Sequence, residues 1–249
     1  MSNDKLIDNA LQLYRNRVII PFYQILEQGS ALSLYASLTE QMMDEKYEQM
    51  KVNLSKGTLN ETEDQTHRLL IEALEGEYRH YTYSSMFLMA YANFENNLDL
   101  ICKHMHQMFP YPVKLKDLHG SGIERAKNYL TKIVGFELPS EQWGRIFGNF
   151  NKIRNVLAHK NGVIDVDNSS QVNEISMAMK TIGNISLDDD GRLMLQVEFC
   201  TKFIEDCNVL YTHLLKEVED YLDEEKFRKK HGISISKANG DIVVRIVHL

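Results

Sequence analysis

Residues 87–105, FLMAYANFENNLDLICKHM, place Phe87, Tyr91, Phe94, Leu98, Ile101 and Met105 at alternating steps of four and three. That spacing puts one apolar stripe along a helix, the face a helix buries against its neighbours. Pro110 and Pro112 end the helix, because proline has no amide to donate and its ring clashes with the preceding turn. Upstream, nothing from about residue 64 forbids one long helix, or two helices meeting near Gly76.

The same periodicity extends outward. Leu6, Ile7, Leu11, Leu13, Tyr14 and Val18 predict a helix over about 4–28 with a kink or break at Pro21, and a second helix spans about 31–50. Residues 56–63 form a polar loop. A short helix follows over about 123–134. Ser140, a natural N-cap, opens another helix over about 141–159, and Gly162 is placed to stop it. Residues 185–196 read as a hairpin turning on Asp188 to Gly191, and a long amphipathic helix covers about 197–222. After a charged stretch over 223–230, a second hairpin turns on Ala238-Asn239-Gly240. The expected fold class is mostly α, with short β-hairpins near the C-terminus.

The 249 residues are enough to bury a core, and 43% hydrophobic with 25% charged residues is ordinary globular composition. Cys102, Cys200 and Cys207 are an odd number with no CxxC pair, which excludes a disulfide framework and a four-cysteine zinc site and fits a reducing cytosol. The polar N-terminus carries no signal-peptide pattern, and no apolar run could span a bilayer. The expected location is cytoplasmic, with no membrane partner. The net charge of −7 argues against a general nucleic-acid coat. Residues 100–160, however, hold ten Lys or Arg against four Asp or Glu. A basic middle in an acidic chain suggests either a local anion-binding surface or solvated charges segregated by chance.

Several motifs fail. Asp165 to Ser169 resembles the start of a calcium loop but lacks the glycine and the closing glutamate. His104 and His106 are two apart on a helix and point to opposite sides. There is no dinucleotide fingerprint, Walker loop or nucleophile elbow. No cofactor and no metal are expected.

One segment does not fail: Ile153-Arg-Asn-Val-Leu-Ala-His-Lys-Asn-Gly162. On a continuous α-helix from Trp143, Ile146, Phe147, Phe150, Ile153 and Leu157 share an arc about 120° wide, and Arg154 falls inside it. A guanidinium there needs a carboxylate, a phosphate or an interface cleft. Asn155 and His159 fall together on the flanking side, with His159 in the last turn, where the helix dipole favours cations. A fixed cation, an amide and an imidazole at one helix end suit phosphodiester chemistry. They are equally compatible with a paired core arginine and a dipole-capping histidine. Glu95 lies beside the Phe87–Met105 stripe, where it is either the partner of Arg154 or a boundary carboxylate in water.

The Arg154-Asn155-x3-His159 pattern resembles the R-x4-6-H motif of the HEPN superfamily, with Asn93-Phe94-Glu95 on an earlier helix and a long closing helix after the motif. The likeness covers about residues 80–225. It implies an antiparallel helical bundle over 62–225, with an N-terminal helical region, 1–57, packed on it and a β-hairpin tail, 226–249, outside it. It also implies a metal-independent endoribonuclease, often a toxin or an antiviral effector, working as a homodimer on an RNA substrate. An antitoxin or regulatory protein is a further implied partner. By the same resemblance Arg154 neutralises the scissile phosphate, His159 is the general acid or base, Asn155 orients the histidine or phosphate, and Glu95 holds Arg154. Family members paired with a small nucleotidyltransferase carry a tyrosine two residues after the histidine, where this chain has Asn161. The alternatives are a non-catalytic module that binds RNA, a nucleotide or a protein, and a structural helical adaptor with Arg154 in a buried ion pair.

Overall fold

The computed structural model describes residues 3–109, 111–120, 122–222, 231–238 and 241–248. The chain is mostly helical. Its order is α1 (Asn3–Ser55), α2 (Glu61–Glu75), α3 (Glu77–Met108), a 3-10 turn at Leu115–Asp117, and α4 (Gly122–Asn128), which runs into a π turn at Tyr129–Val134. Then come α5 (Ser140–Trp143), a π stretch at Gly144–Phe150, α6 (Asn151–Lys160), α7 (Ser169–Ile182), β1 (Ile185–Leu187), β2 (Leu193–Leu195), α8 (Val197–Tyr221), β3 (His231–Ala238) and β4 (Asp241–His248). Strands β1 and β2 pair antiparallel, as do β3 and β4. Among the described residues no helix is long and apolar enough to cross a membrane.

The two expected N-terminal helices are one. Helix α1 continues through Pro21 for 53 residues. Proline forfeits one backbone hydrogen bond but need not end a helix whose next turn is anchored. Here Phe22 and Ile25 follow directly and are buried. The apolar positions from Leu6 to Val18 lie outside the residues whose side chains are described, as does the Asn239-Gly240 turn. Gly76 is where α2 and α3 meet, and it leaves helical geometry at φ −111°, ψ −100°. Helix α2 is defined locally by a capping box. The Asn60 side chain accepts from the Glu63 amide (2.9 Å), and Glu63 accepts from the Asn60 amide (3.1 Å).

The chain forms two compact units, 1–28 with 94–140 and 208–249, and 29–93 with 141–207. In the first, Phe94 lies 5.8 Å from Tyr211, and Phe109 packs edge-on to Tyr221 at 5.0 Å. Tyr111 and Tyr221 share a hydroxyl hydrogen bond of 3.2 Å, and Leu98, Cys102 and Leu214 complete a dry interior. The second unit is built on four phenylalanines. Phe87 meets Phe199 and Phe203 edge-on at 5.0 and 5.2 Å, and Phe150 meets both at 5.2 and 5.1 Å. Burying each such ring contributes about 1.5–3 kcal/mol. The cluster fixes Phe150, the residue immediately before α6.

The helix expected over 141–159 is present but is not a uniform α-helix. Between Gly144 and Phe150 it is π-helical, and the Asn151 amide donates to the Ile146 carbonyl. A π turn winds more residues per turn, so side chains beyond it leave the azimuths of a pure α wheel. Around α6 the buried set is Ile153, Val156 and Leu157. Arg154, beside this set on the helix, is half-buried.

Candidate functional site

Helix α6 carries the motif, and three sets of contacts hold it. At its start Phe150 is locked in the aromatic cluster. Along its side, Lys152 lies 3.5 Å from Glu174, and Lys160 donates to Gln171 at 3.0 Å, both on α7. Its end is tied to the β1–β2 hairpin. Asn161 (φ 50°) and Gly162 (φ 81°) reverse the chain, and the Leu193 amide donates to the Gly162 carbonyl at 2.9 Å. A Cβ on Gly162 would stand 3.3 Å from both His80 Cε1 and Leu157 Cδ2. His80, nearly fully buried, donates from Nδ1 to the Leu193 carbonyl at 3.1 Å, so the same strand residue anchors both.

On this frame Arg154 donates from Nη1 to Asn155 Oδ1 at 3.1 Å. Its guanidinium carbon lies 5.5 Å from the centroid of the Tyr91 ring, a cation–π arrangement. Tyr91 is buried, stacks on Phe203 at 5.4 Å, and donates its hydroxyl to Asn151 Oδ1 at 3.0 Å. The ring beneath Arg154 is thus fixed from both ends. Asn155 is exposed, and so is His159, one turn further along the same face. Four residues of α-helix rise about 6 Å. Among the described residues His159 makes no hydrogen bond or ion pair, so both ring nitrogens face solvent chemistry.

The structure therefore places Asn155 and His159 on one exposed face of α6, with the half-buried Arg154 reaching round to Asn155. Glu95, on α3, belongs to the other unit. There it is half-buried and packs against Gly122, where an added Cβ would stand 2.8 Å from Glu95 Oε1. Tyr91 is the site residue sequence reasoning missed as such. In the sequence it belongs to the α3 core stripe, and its place one turn before Glu95 is the available signal. Asn161, where nucleotidyltransferase-linked family members have tyrosine, is in the left-handed conformation that asparagine tolerates better than most residues.

Arg145 is also half-buried. It donates from Nε and Nη2 to the two oxygens of Asp206, at 2.7 and 2.6 Å, and also pairs with Glu141. The cation is thereby bound into structure. Cys102, Cys200 and Cys207 are buried free thiols. Burial pushes Cys200 up to about 12 and raises Cys102 and Cys207 well above the ordinary thiol range, so none is a nucleophile near neutral pH. Among the described residues no three His, Cys, Asp or Glu side chains are grouped to hold a metal ion. No family model, curated protein or solved structure matches the chain.

Proposed function

We propose that the chain is a metal-independent endoribonuclease of HEPN type, acting in the cytoplasm as a toxin or antiviral effector. The observation that carries this reading is the His159 imidazole, uncommitted and exposed, one turn beyond Asn155, whose amide oxygen holds the Arg154 guanidinium. Arg154 neutralises the non-bridging oxygens of the scissile phosphate, where negative charge grows during attack. Histidine is the side chain that moves protons in the physiological range. His159 takes the 2′-hydroxyl proton or returns one to the 5′-oxygen as it leaves. The 2′-oxygen forms the new bond to phosphorus, the bond to the 5′-oxygen breaks, and a 2′,3′-cyclic phosphate and a 5′-hydroxyl remain. One copy offers one imidazole for two proton transfers. A two-fold dimer that sets two α6 flanks face to face supplies both.

The test is incubation of the full chain with a labelled single-stranded RNA in excess EDTA. Cleavage with cyclic-phosphate ends, and none of a DNA of the same sequence, is the expected result. Activity that vanishes in EDTA and returns with a divalent metal overturns the mechanism. RNA binding without cleavage makes the chain a binding module.

A further inference from the structure

The basic segment noted in the sequence does not spread evenly over the surface. Four of its ten cations line one pocket of about 280 Å³ within the first unit: Lys103 on α3, Lys114 and Lys116 around the 3-10 turn, and Arg125 on α4. One carboxylate, Asp99, lines the same space. Three arginines elsewhere are matched by carboxylates: Arg79 by Glu40, Arg145 by Asp206 and Arg192 by Glu77. Among the described residues none of the four pocket cations makes an ion pair. Like charges gathered around a small cavity repel one another unless an anion joins them.

The cluster is built in. The Lys114 amide donates to Asp117 Oδ2 at 3.1 Å, which fixes the 3-10 turn. Arg125 Nε and His106 Nδ1 are withdrawn from solvent without a hydrogen-bond partner, although buried polar atoms are normally satisfied. Two buried apolar residues, Cys102 and Leu115, also line it.

We propose that this pocket binds an oligophosphate ligand of mononucleotide size, with Arg125, Lys103, Lys114 and Lys116 on the phosphates and Cys102 and Leu115 beneath the organic part. Four cations against one carboxylate match a ligand of about three negative charges, and the arginine fork suits phosphate oxygens. The volume stands at the small end of ligand sites. Two sources carry this chemistry, a free nucleoside triphosphate and the 5′-triphosphate end of an RNA.

Calorimetric titration of the full chain with ATP, with a short 5′-triphosphate RNA and with the same RNA bearing a 5′-hydroxyl tests the proposal. ATP or the triphosphate RNA binds at micromolar concentration, and Arg125→Gln and Lys116→Gln each weaken it about tenfold. Lys132→Gln, outside the pocket, leaves it unchanged. Binding of ATP identifies the free nucleotide as a source, and binding of the triphosphate RNA alone identifies the RNA end. Binding of neither ligand, equal binding of the 5′-hydroxyl RNA, or affinities that survive both substitutions overturns it. Lys116 is exposed, so its variant folds even where Arg125→Gln does not. The pocket is independent of cleavage: His159→Ala retains its ligand, and a chain that cuts no RNA still binds at this site if the proposal holds.

Discussion

Arg145 and Asp206 face each other with two parallel hydrogen bonds, Nε at 2.7 Å and Nη2 at 2.6 Å from the carboxylate oxygens, and Asp206 is only 2% exposed. Lys202 stands 3.3 Å from the same carboxylate. The pair joins the π stretch before α6 to α8, and the Asp206 hydrogen bonds hold the Arg145 cation more firmly still. Removing Asp206 leaves Arg145 with the exposed Glu141 alone. Asp206→Ala should lower the urea-unfolding free energy by about 1.5–3 kcal/mol, the worth of hydrogen bonds to a charged group. A loss under about 1 kcal/mol would show the pair to be solvated, as surface pairs are.

His159→Ala should cut RNA cleavage by about 10²–10⁴ while shifting unfolding by less than about 0.5 kcal/mol, as exposed positions do. Arg154→Ala should abolish cleavage too, but it also removes the guanidinium from the Tyr91 face, worth about 0.5–2 kcal/mol. Rates and melting curves on the two purified variants separate the roles. A His159→Ala chain as fast as the parent removes His159 from the chemistry.

Gly122 has φ 50° and leaves no room for a Cβ beside Glu95. Gly122→Ala should cost about 1–2 kcal/mol from backbone conformation alone, before Glu95 is displaced. Gly144→Ala is the contrast, since nothing lies within 4 Å of a Cβ there. It should be neutral or slightly stabilising. Equal melting temperatures for the two variants would contradict the close approach at Gly122.

The thiols give a test based on pH. Burial raises all three above their ordinary range, Cys200 to about 12, so the thiolate is scarce in the folded chain at pH 8. A disulfide reagent should leave the native protein unlabelled and titrate all three cysteines in urea. Rapid labelling of any one in the native state would show that its segment opens to solvent.

The helical periods and the hairpin at Asp188 to Gly191 were legible because each depends on neighbours in the chain, whereas the sequence left open whether the helix broke at Gly76. The Asp188 carboxylate does accept from the Asp190 and Arg192 amides, at 3.0 and 2.8 Å. Pro21 misled because its effect is decided by what anchors the next turn, and there Phe22 and Ile25 are buried. Arg154, Asn155 and His159 were visible as a spacing. The aromatic support of Arg154 was not, since Tyr91 and Arg154 meet only through the fold. The π turn before α6 was not legible either, since a wheel of fixed pitch has no way to register it.

That turn also bears on heredity. A π stretch within a helix is how a chain absorbs an extra residue without breaking the helix. A relative lacking one residue between Gly144 and Phe150 could present its equivalents of Trp143 and Arg154 in the same places on an unbroken α-helix. Column-by-column alignment would then set the tryptophan or the arginine one step out of register unless a gap were opened inside the helix, where gaps are rarely allowed. Kinship is therefore better sought with the motif helix and the preceding tryptophan as separate anchors.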